Sequence, residues 1–252
     1  MPLALPDVPW PVLAAVPLIV LAAYTMFGAT GFGSSIIAVP LLAHAFPLTF
    51  AVPFVTALDG VATVTASRAQ WRDAAWQEIR RILPAILVGI ALGATVLVSL
   101  PRAPALAALG VFVAGYGVWQ WLGARRMTRA SARWALPIGL VGGVFSVLFG
   151  TGGPIYMVYL SARIRDKTAL RATSSLLITA SCWTRIVLFV ATGLLLDAPL
   201  LVLAALMVPL MFAGLRLGNR LHDALSGPGV LRLVSGLLVM NGVLLVARAL
   251  GA

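Results

Sequence analysis

Two glycine-rich stretches decide the fold of this chain: Gly28-Ala-Thr-Gly31-Phe-Gly33-Ser34-Ser35-Ile-Ile-Ala-Val-Pro40 and Phe149-Gly150-Thr151-Gly152-Gly153-Pro154-Ile-Tyr156. Each stretch interrupts a run of apolar residues, and glycine lets the backbone turn where a side chain would clash. Pro154 suits the first turn of a new helix, because the N–H that proline lacks would be unpaired there. We therefore expect a long helix, a break and a short helix at each stretch.

The chain around these breaks is too apolar to form a water-exposed surface. Of its 252 residues, 61% are hydrophobic and 10% are charged, whereas about 25% of the residues of a soluble domain are charged. Apolar runs such as residues 10–29, 83–100 and 199–215 are long enough to cross about 30 Å of hydrocarbon. The sequence therefore predicts an all-α membrane protein, built as a polytopic helical bundle.

The predicted helices occur in the same order twice. Both halves read long, short, long, long, long, and the predicted helices are residues 10–29, 34–45, 48–66, 80–100 and 104–122, then 134–150, 154–163, 168–192, 199–220 and 229–250. Prolines and glycines also match between the halves, for example Pro84 with Pro209 and Gly89 with Gly214. We interpret residues 1–123 and 134–252 as two transmembrane repeats, joined by a polar cytoplasmic segment at 124–133.

The positive residues predict how the chain crosses the bilayer, since cytoplasmic loops collect Lys and Arg. If each long-plus-short pair enters and returns on one side, nearly all Lys and Arg lie on one face, and only Arg102 and Arg248 lie on the other. Both termini are then periplasmic, and the two repeats have inverted topology. The net charge of +11 reflects these loops rather than a nucleic-acid partner, because the arginines are not gathered on one domain.

Inverted repeats with interrupted helices are typical of secondary transporters, in which a site between the halves is reached by alternating access. A helix that starts inside the membrane points unpaired N–H groups and partial positive charge ahead of it, which fits a small anionic substrate. The candidate substrate-binding residues of the two breaks are Gly31, Gly33, Ser34, Ser35, Gly150, Thr151, Gly152 and Gly153. Alternatively, these glycines only let helices approach closely, and the serines bond to backbone.

Two ionisable residues lie inside predicted spans, in equivalent helices of the two halves, where charge is costly. We expect Arg185 to neutralise the bound anion and Asp59 to pair with it or to take a proton. The alternative is a structural ion pair, or an arginine that extends to the membrane surface. Asn241 lies within the last span and is a further candidate for binding the substrate, although a bond between helices explains it too.

Neither a metal nor a cofactor is predicted, because His44 and His222 have no ligand spacing. The coupling ion stays open: sodium sites use unwound carbonyls and hydroxyls, which both breaks offer, whereas a proton would use Asp59. The sequence is compatible with a homo-oligomer in the lipid bilayer.

The paired motifs, Gly31-Phe-Gly33-Ser-Ser-Ile-Ile-Ala-Val-Pro40-Leu-Leu and Phe149-Gly150-Thr151-Gly152-Gly153-Pro154, resemble the signatures of the sulfite exporter TauE/SafE family. The resemblance covers nearly the whole chain, including its division into two halves. It implies a multi-pass transporter of the bacterial inner membrane that exports sulfite, sulfoacetate or a related organosulfonate.

Other functions remain open from the sequence. A passive anion channel or a membrane subunit of a larger complex would have the same helices. A membrane-embedded enzyme would need a nucleophile, a base or a metal on converging helix ends. The seven acidic residues are spread thinly and the single cysteine has no histidine near it in the sequence, so we predict that the protein is not an enzyme.

Overall fold

A computed structural model describes residues 10–30, 33–67, 71–99, 101–122, 131–221 and 228–251. Within these ranges the chain forms ten α-helices and no strand. The helices are α1 (Trp10–Thr30), α2 (Ser34–Ala43), α3 (Leu48–Ser67), α4 (Trp76–Ser99), α5 (Arg102–Trp121), α6 (Ala135–Phe149), α7 (Gly152–Arg163), α8 (Lys167–Ala191), α9 (Ala198–Arg220) and α10 (Pro228–Leu250).

The predicted fold class, an all-α membrane protein, is confirmed, and each predicted helix is present. Among the described residues, five segments are long and apolar enough to cross a membrane: Trp76–Leu97, Ala103–Trp121, Ala132–Phe149, Thr168–Ala191 and Ala198–Arg220. Four shorter apolar segments lie in α1, α2, α3 and α10. The lipid-facing surface is correspondingly apolar, with large exposed side chains such as Leu18 and Leu206.

Helices α4 and α7 are among those that begin earlier than the sequence predicts. Helix α4 starts at Trp76 rather than at residue 80, which places Glu78 in its first turn, where a carboxylate interacts favourably with the helix N-terminus. Helix α7 starts at Gly152 rather than at Pro154. Proline is tolerated throughout a first turn, because the N–H groups of that turn have no partner within the helix.

The most extensive contacts in the bundle join α5 to α10, α4 to α6, α1 to α9 and α3 to α8. Glycines bring three of these pairs into backbone contact, α5 with α10, α4 with α6 and α1 with α9. A Cβ atom on Gly89 of α4 would overlap the carbonyl oxygen of Leu140 on α6, and one on Gly214 of α9 would lie 2.8 Å from the carbonyl oxygen of Leu21 on α1. Small residues allow this approach between membrane helices.

A buried carboxylate ties α4 of the first half to α7 of the second. Glu78 accepts hydrogen bonds from the Tyr159 hydroxyl at 2.5 Å, from Nη2 of Arg163 at 2.8 Å and from Nη1 of Arg81 at 2.8 Å. Nearby, the Ala75 N–H donates to Oγ1 of Thr173 on α8 at 2.8 Å. The bonds of Glu78 with Tyr159 and Arg163 hold the C-terminal end of α7, whose N-terminal end lies at the second glycine break.

Candidate functional site

The two glycine breaks meet inside the bundle. Gly33 (φ 102°) and Gly150 (φ 72°) both adopt left-handed backbone angles, which glycine tolerates best. A Cβ atom on Gly150 would lie 2.8 Å from Cβ and Oγ of Ser35 and 3.2 Å from Nη1 of Arg185. The start of α2 therefore touches the break between α6 and α7, with α8 beside both. Gly31 lies outside the described residues.

Asp59 of α3 lies at the centre of this junction and is 5% exposed. Its Oδ1 atom accepts hydrogen bonds from the Tyr24 hydroxyl at 2.7 Å and from Oγ of Ser34 at 2.8 Å. Its Oδ2 atom accepts one from Oγ of Ser35 at 2.9 Å. Hydrogen bonds of this kind offset part of the cost of burying a carboxylate. We call Tyr24, Ser34, Ser35, Asp59 and Arg185 the Asp59 cluster.

Arg185 of α8 completes the cluster and uses its three nitrogen atoms differently. Nη1 donates to the carbonyl oxygen of Ser146 at 2.8 Å, near the end of α6. Nη2 lies 3.9 Å from Oδ2 of Asp59, which is an ion-pair distance but too long for a hydrogen bond. Nε has no hydrogen-bond partner among the described residues. Since the side chain is 3% exposed, it does not extend to the membrane surface.

Thr151 supplies a second buried polar group that has no hydrogen-bond partner among the described residues. It occupies the N-cap position of α7, yet its side chain makes no capping hydrogen bond. In the described part of the chain its Oγ1 atom, like Nε of Arg185, has no hydrogen-bond partner. At α2 the N-cap is Gly33, which has no side chain to offer. Both short helices thus begin beside the Asp59 cluster without a side-chain cap.

Gly152, another candidate of the second break, is closely packed. A Cβ atom on Gly152 would lie 2.6 Å from the Tyr156 hydroxyl oxygen and 2.8 Å from the carbonyl oxygen of Gly142. Gly153 is half-buried in the first turn of α7. The Tyr156 hydroxyl lies 3.4 Å from Oγ of Ser181 on α8. The glycines therefore let α7 lie tightly against α6, as the alternative interpretation of the motif expects.

Asn241 lies at a different place from the Asp59 cluster. Its Oδ1 atom is 3.2 Å from Nε2 of His44, which follows the C-terminal end of α2, whereas Ser34 is at the N-terminal end. Arg248 of α10 donates a hydrogen bond to the carbonyl oxygen of His44. These contacts fasten α10 to the end of α2, and they match the expectation of a bond between helices.

Sequence reasoning missed Tyr24 and Thr56. Tyr24 is fully buried in α1, and its signal was a tyrosine within an apolar run, away from the interfaces where tyrosine is commonest in membrane proteins. Thr56 lies one helical turn before Asp59 on α3 and has a buried hydroxyl without a partner among the described residues. The carbonyl oxygen of Thr56 lies 3.7 Å from Sγ of Cys182.

A buried carboxylate and guanidinium between two interrupted helices are features typical of one class of protein, the polytopic membrane transporters. Ionisable residues inside a membrane mark substrate or ion pathways, and discontinuous helices line binding sites in such proteins. The chain belongs to the sulfite exporter TauE/SafE family, whose sequence profile matches residues 16–245. Membership of a transporter family indicates transport rather than catalysis.

A curated relative agrees with this assignment. The chain is 29% identical over 189 residues to a protein of Comamonas testosteroni named "Probable inner membrane transporter protein TsaS". The alignment covers 74% of this chain and 78% of the relative. No solved structure matches the chain.

Proposed function

We propose that this protein is a secondary transporter that exports a small sulfur-containing oxyanion, such as sulfite, sulfoacetate or a related organosulfonate, across the bacterial inner membrane by alternating access. The observation that carries the proposal is a pair of buried donors, Nε of Arg185 and Oγ1 of Thr151, that have no hydrogen-bond partner in the described part of the chain and lie where the two breaks meet. Buried donors left unpaired are costly, and an anion would satisfy them. The family description names sulfite.

The chemistry of the junction suits an oxyanion with several oxygens. A guanidinium group presents a fork of N–H donors, and hydrogen bonds to it are stronger when the acceptor is charged. The positive ends of α2 and α7 add to the favourable field. Ser34 and Ser35 supply two further hydroxyls, which in this state are bonded to Asp59. Sulfite and sulfonates have three oxygens to engage such donors.

Alternating access would come from movement between the halves. Ser35 belongs to the first half and Gly150 to the second, and they touch at the junction. A shift of one half against the other would therefore open the junction to one side of the membrane. The cytoplasmic tie between Glu78 and Arg163, at 2.8 Å, also joins the halves and would have to adjust in the same movement.

Replacement of the buried guanidinium tests the substrate site. We expect Arg185→Ala to lower sulfite uptake into proteoliposomes by roughly tenfold to a hundredfold at concentrations below saturation, because a charge-assisted hydrogen bond contributes about 1.5–3 kcal/mol. Arg171→Ala is the matched control, since Arg171 lies on the same helix but is exposed, and it should transport at the wild-type rate.

Uptake by Arg185→Ala at the rate of the control would contradict the proposed site. The same vesicles distinguish the two alternative functions. A passive anion channel would equilibrate sulfite but never accumulate it against a gradient. A membrane subunit of a larger complex would show no flux when the purified chain is the sole protein in the vesicle.

A further inference from the structure

The carboxylate of Asp59 occupies donors that a bound anion would need. It accepts bonds from the Ser34 and Ser35 hydroxyls, and its Oδ2 atom is the acidic oxygen nearest to Arg185, at 3.9 Å. Each hydroxyl has a single hydrogen to donate. A substrate oxyanion and the ionised Asp59 are therefore competitors for the same serines and the same guanidinium.

The buried charges lead to the same conclusion. The titratable groups that face Asp59 are Tyr24 of α1 and Cys182 and Arg185 of α8, of which the arginine alone carries a charge at neutral pH. Among the described residues, α2, α6 and α9 also pack on α3, and the arginines near the end of α9, Arg216 and Arg220, are exposed. The side chains of the Asp59 cluster thus sum to no net charge.

Binding a monoanion would leave the cluster with one net negative charge inside the bundle. An uncompensated buried charge is strongly unfavourable. One proton on Asp59 removes this cost, since arginine, anion and a neutral carboxyl again sum to zero. The neutral carboxyl also becomes a donor to the anion, and the serine hydroxyls are free to turn towards it.

We propose that one proton, carried on Asp59, accompanies each monoanion through this protein. The inference rests on the proposed function and selects the proton over sodium. A proton becomes part of the carboxyl group, whereas a sodium ion bound to Oδ2 would be repelled by the positive guanidinium of Arg185, whose Nη2 atom lies 3.9 Å from Oδ2. Loss of the proton to the opposite side restores the carboxylate, which takes back the two serine hydroxyls and expels the anion.

The test is binding of methanesulfonate, whose own charge does not change near neutral pH, to the detergent-purified full chain. For the wild type, we expect the Kd to rise as the pH rises, by up to about tenfold per pH unit, as linkage to one proton requires. Asp59→Asn mimics the neutral carboxyl, so its Kd should be independent of pH and close to the wild-type value at the acidic end. Asp73→Asn is the matched control, because Asp73 is exposed, and it should keep the wild-type slope.

A wild-type Kd that does not change with pH, an Asp59→Asn variant that keeps the slope, or binding that requires sodium would each overturn the proton proposal. If Asp59→Asn does not fold, a pH-sensitive dye inside wild-type proteoliposomes gives a second measurement. Acidification of the interior with methanesulfonate entry is expected, and anion entry without acidification contradicts it. If neither methanesulfonate nor sulfite binds to the wild type or to folded Asp59→Asn at any pH, the proposed function itself fails, and the proton proposal with it.

Discussion

At the scale of single residues, the distances around Asp59 explain how its buried carboxylate is stabilised by partners that can still reorient. Its hydroxyl partners lie at 2.7 to 2.9 Å, whereas the guanidinium of Arg185 lies at 3.9 Å. Hydroxyls reorient easily, and the longer ion pair makes no hydrogen bond. Arg185 is therefore held in place mainly by its bond to the Ser146 carbonyl, with Nε left for another acceptor.

Gly150 tests whether the contact between the breaks matters for binding. In Gly150→Ala the new Cβ atom would lie 2.8 Å from Ser35, so we expect α2 to be displaced and sulfite binding to be lost. The left-handed angle adds a further destabilisation of about 1–2 kcal/mol. Thermal unfolding and sulfite binding of the purified variant measure the two effects separately.

Gly193→Ala distinguishes the effect of backbone strain from the effect of the contact that Gly150→Ala makes with Ser35. Gly193 has a similar φ of 78°, but a Cβ atom there would meet nothing within 4 Å. This variant should lose about the same 1–2 kcal/mol of stability from strain and still bind sulfite. If both variants bind sulfite equally well, the junction of the two breaks is not the substrate site.

At the scale of helices, the short elements α2 and α7 are too short to cross the bilayer alone. They have 10 and 12 residues, which correspond to about 15 and 18 Å of helix, whereas the hydrocarbon is about 30 Å thick. The long helices beside them are packed through glycine, as at Gly89 and Gly143, whose Cβ atoms would each overlap backbone of the facing helix. Close backbone packing thus supports helices that end within the bundle.

The contact between α4 and α6 gives a prediction at this scale. We expect Gly89→Ala to destabilise the protein by about 1–3 kcal/mol, since the added methyl group overlaps the Leu140 carbonyl and overpacking of this kind has that cost. Gly115→Ala on α5 meets nothing within 4 Å and should be neutral or stabilising by up to about 1 kcal/mol, because alanine favours helix over glycine. Denaturation in detergent compares the pair, and equal stabilities would show that α4 and α6 adjust without cost.

At the scale of the whole molecule, the contacts fit the predicted crossing pattern, while the inversion of the repeats stays a prediction. Arg248 and His44, both predicted on the periplasmic side, are joined by a hydrogen bond. Glu78 and Arg163, both predicted on the cytoplasmic side, form a salt bridge. In the predicted repeats, α1 and α4 of the first half correspond to α6 and α9 of the second. The contact of α1 with α9 is therefore matched by the contact of α6 with α4, as two related halves would require.

Labelling of cysteines from one side of the membrane tests this topology. Residues Arg165 and Asp197 are exposed and flank α8. We expect a membrane-impermeant maleimide to label Asp197→Cys in intact cells and Arg165→Cys only after permeabilisation. The native Cys182 is fully buried and should stay unlabelled in both cases. Labelling of both new cysteines in intact cells would mean that α8 does not cross as predicted and that the inverted arrangement is wrong.

Much of the candidate site followed from residue type and position along the chain. Asp59 and Arg185 stood out because charge inside an apolar span is costly, and the glycines stood out because they interrupt helices. The structure brings Ser34, Ser35 and Gly150 to them. Tyr24 was missed, although its position within an apolar run, away from the interfaces where tyrosine is commonest, distinguished it from an interfacial anchor.

The sequence by itself determined that the chain is a bundle of membrane helices with two interruptions, because apolar length and glycine act locally along the backbone. Only the tertiary structure decided which polar groups meet. Ser34 and Ser35 bond to Asp59, and Asn241 lies beside His44. Nε of Arg185 has no hydrogen-bond partner among the described residues. Those pairings depend on how helices distant in sequence rotate and approach one another. That geometry comes from side-chain packing across the whole bundle, not from any single segment.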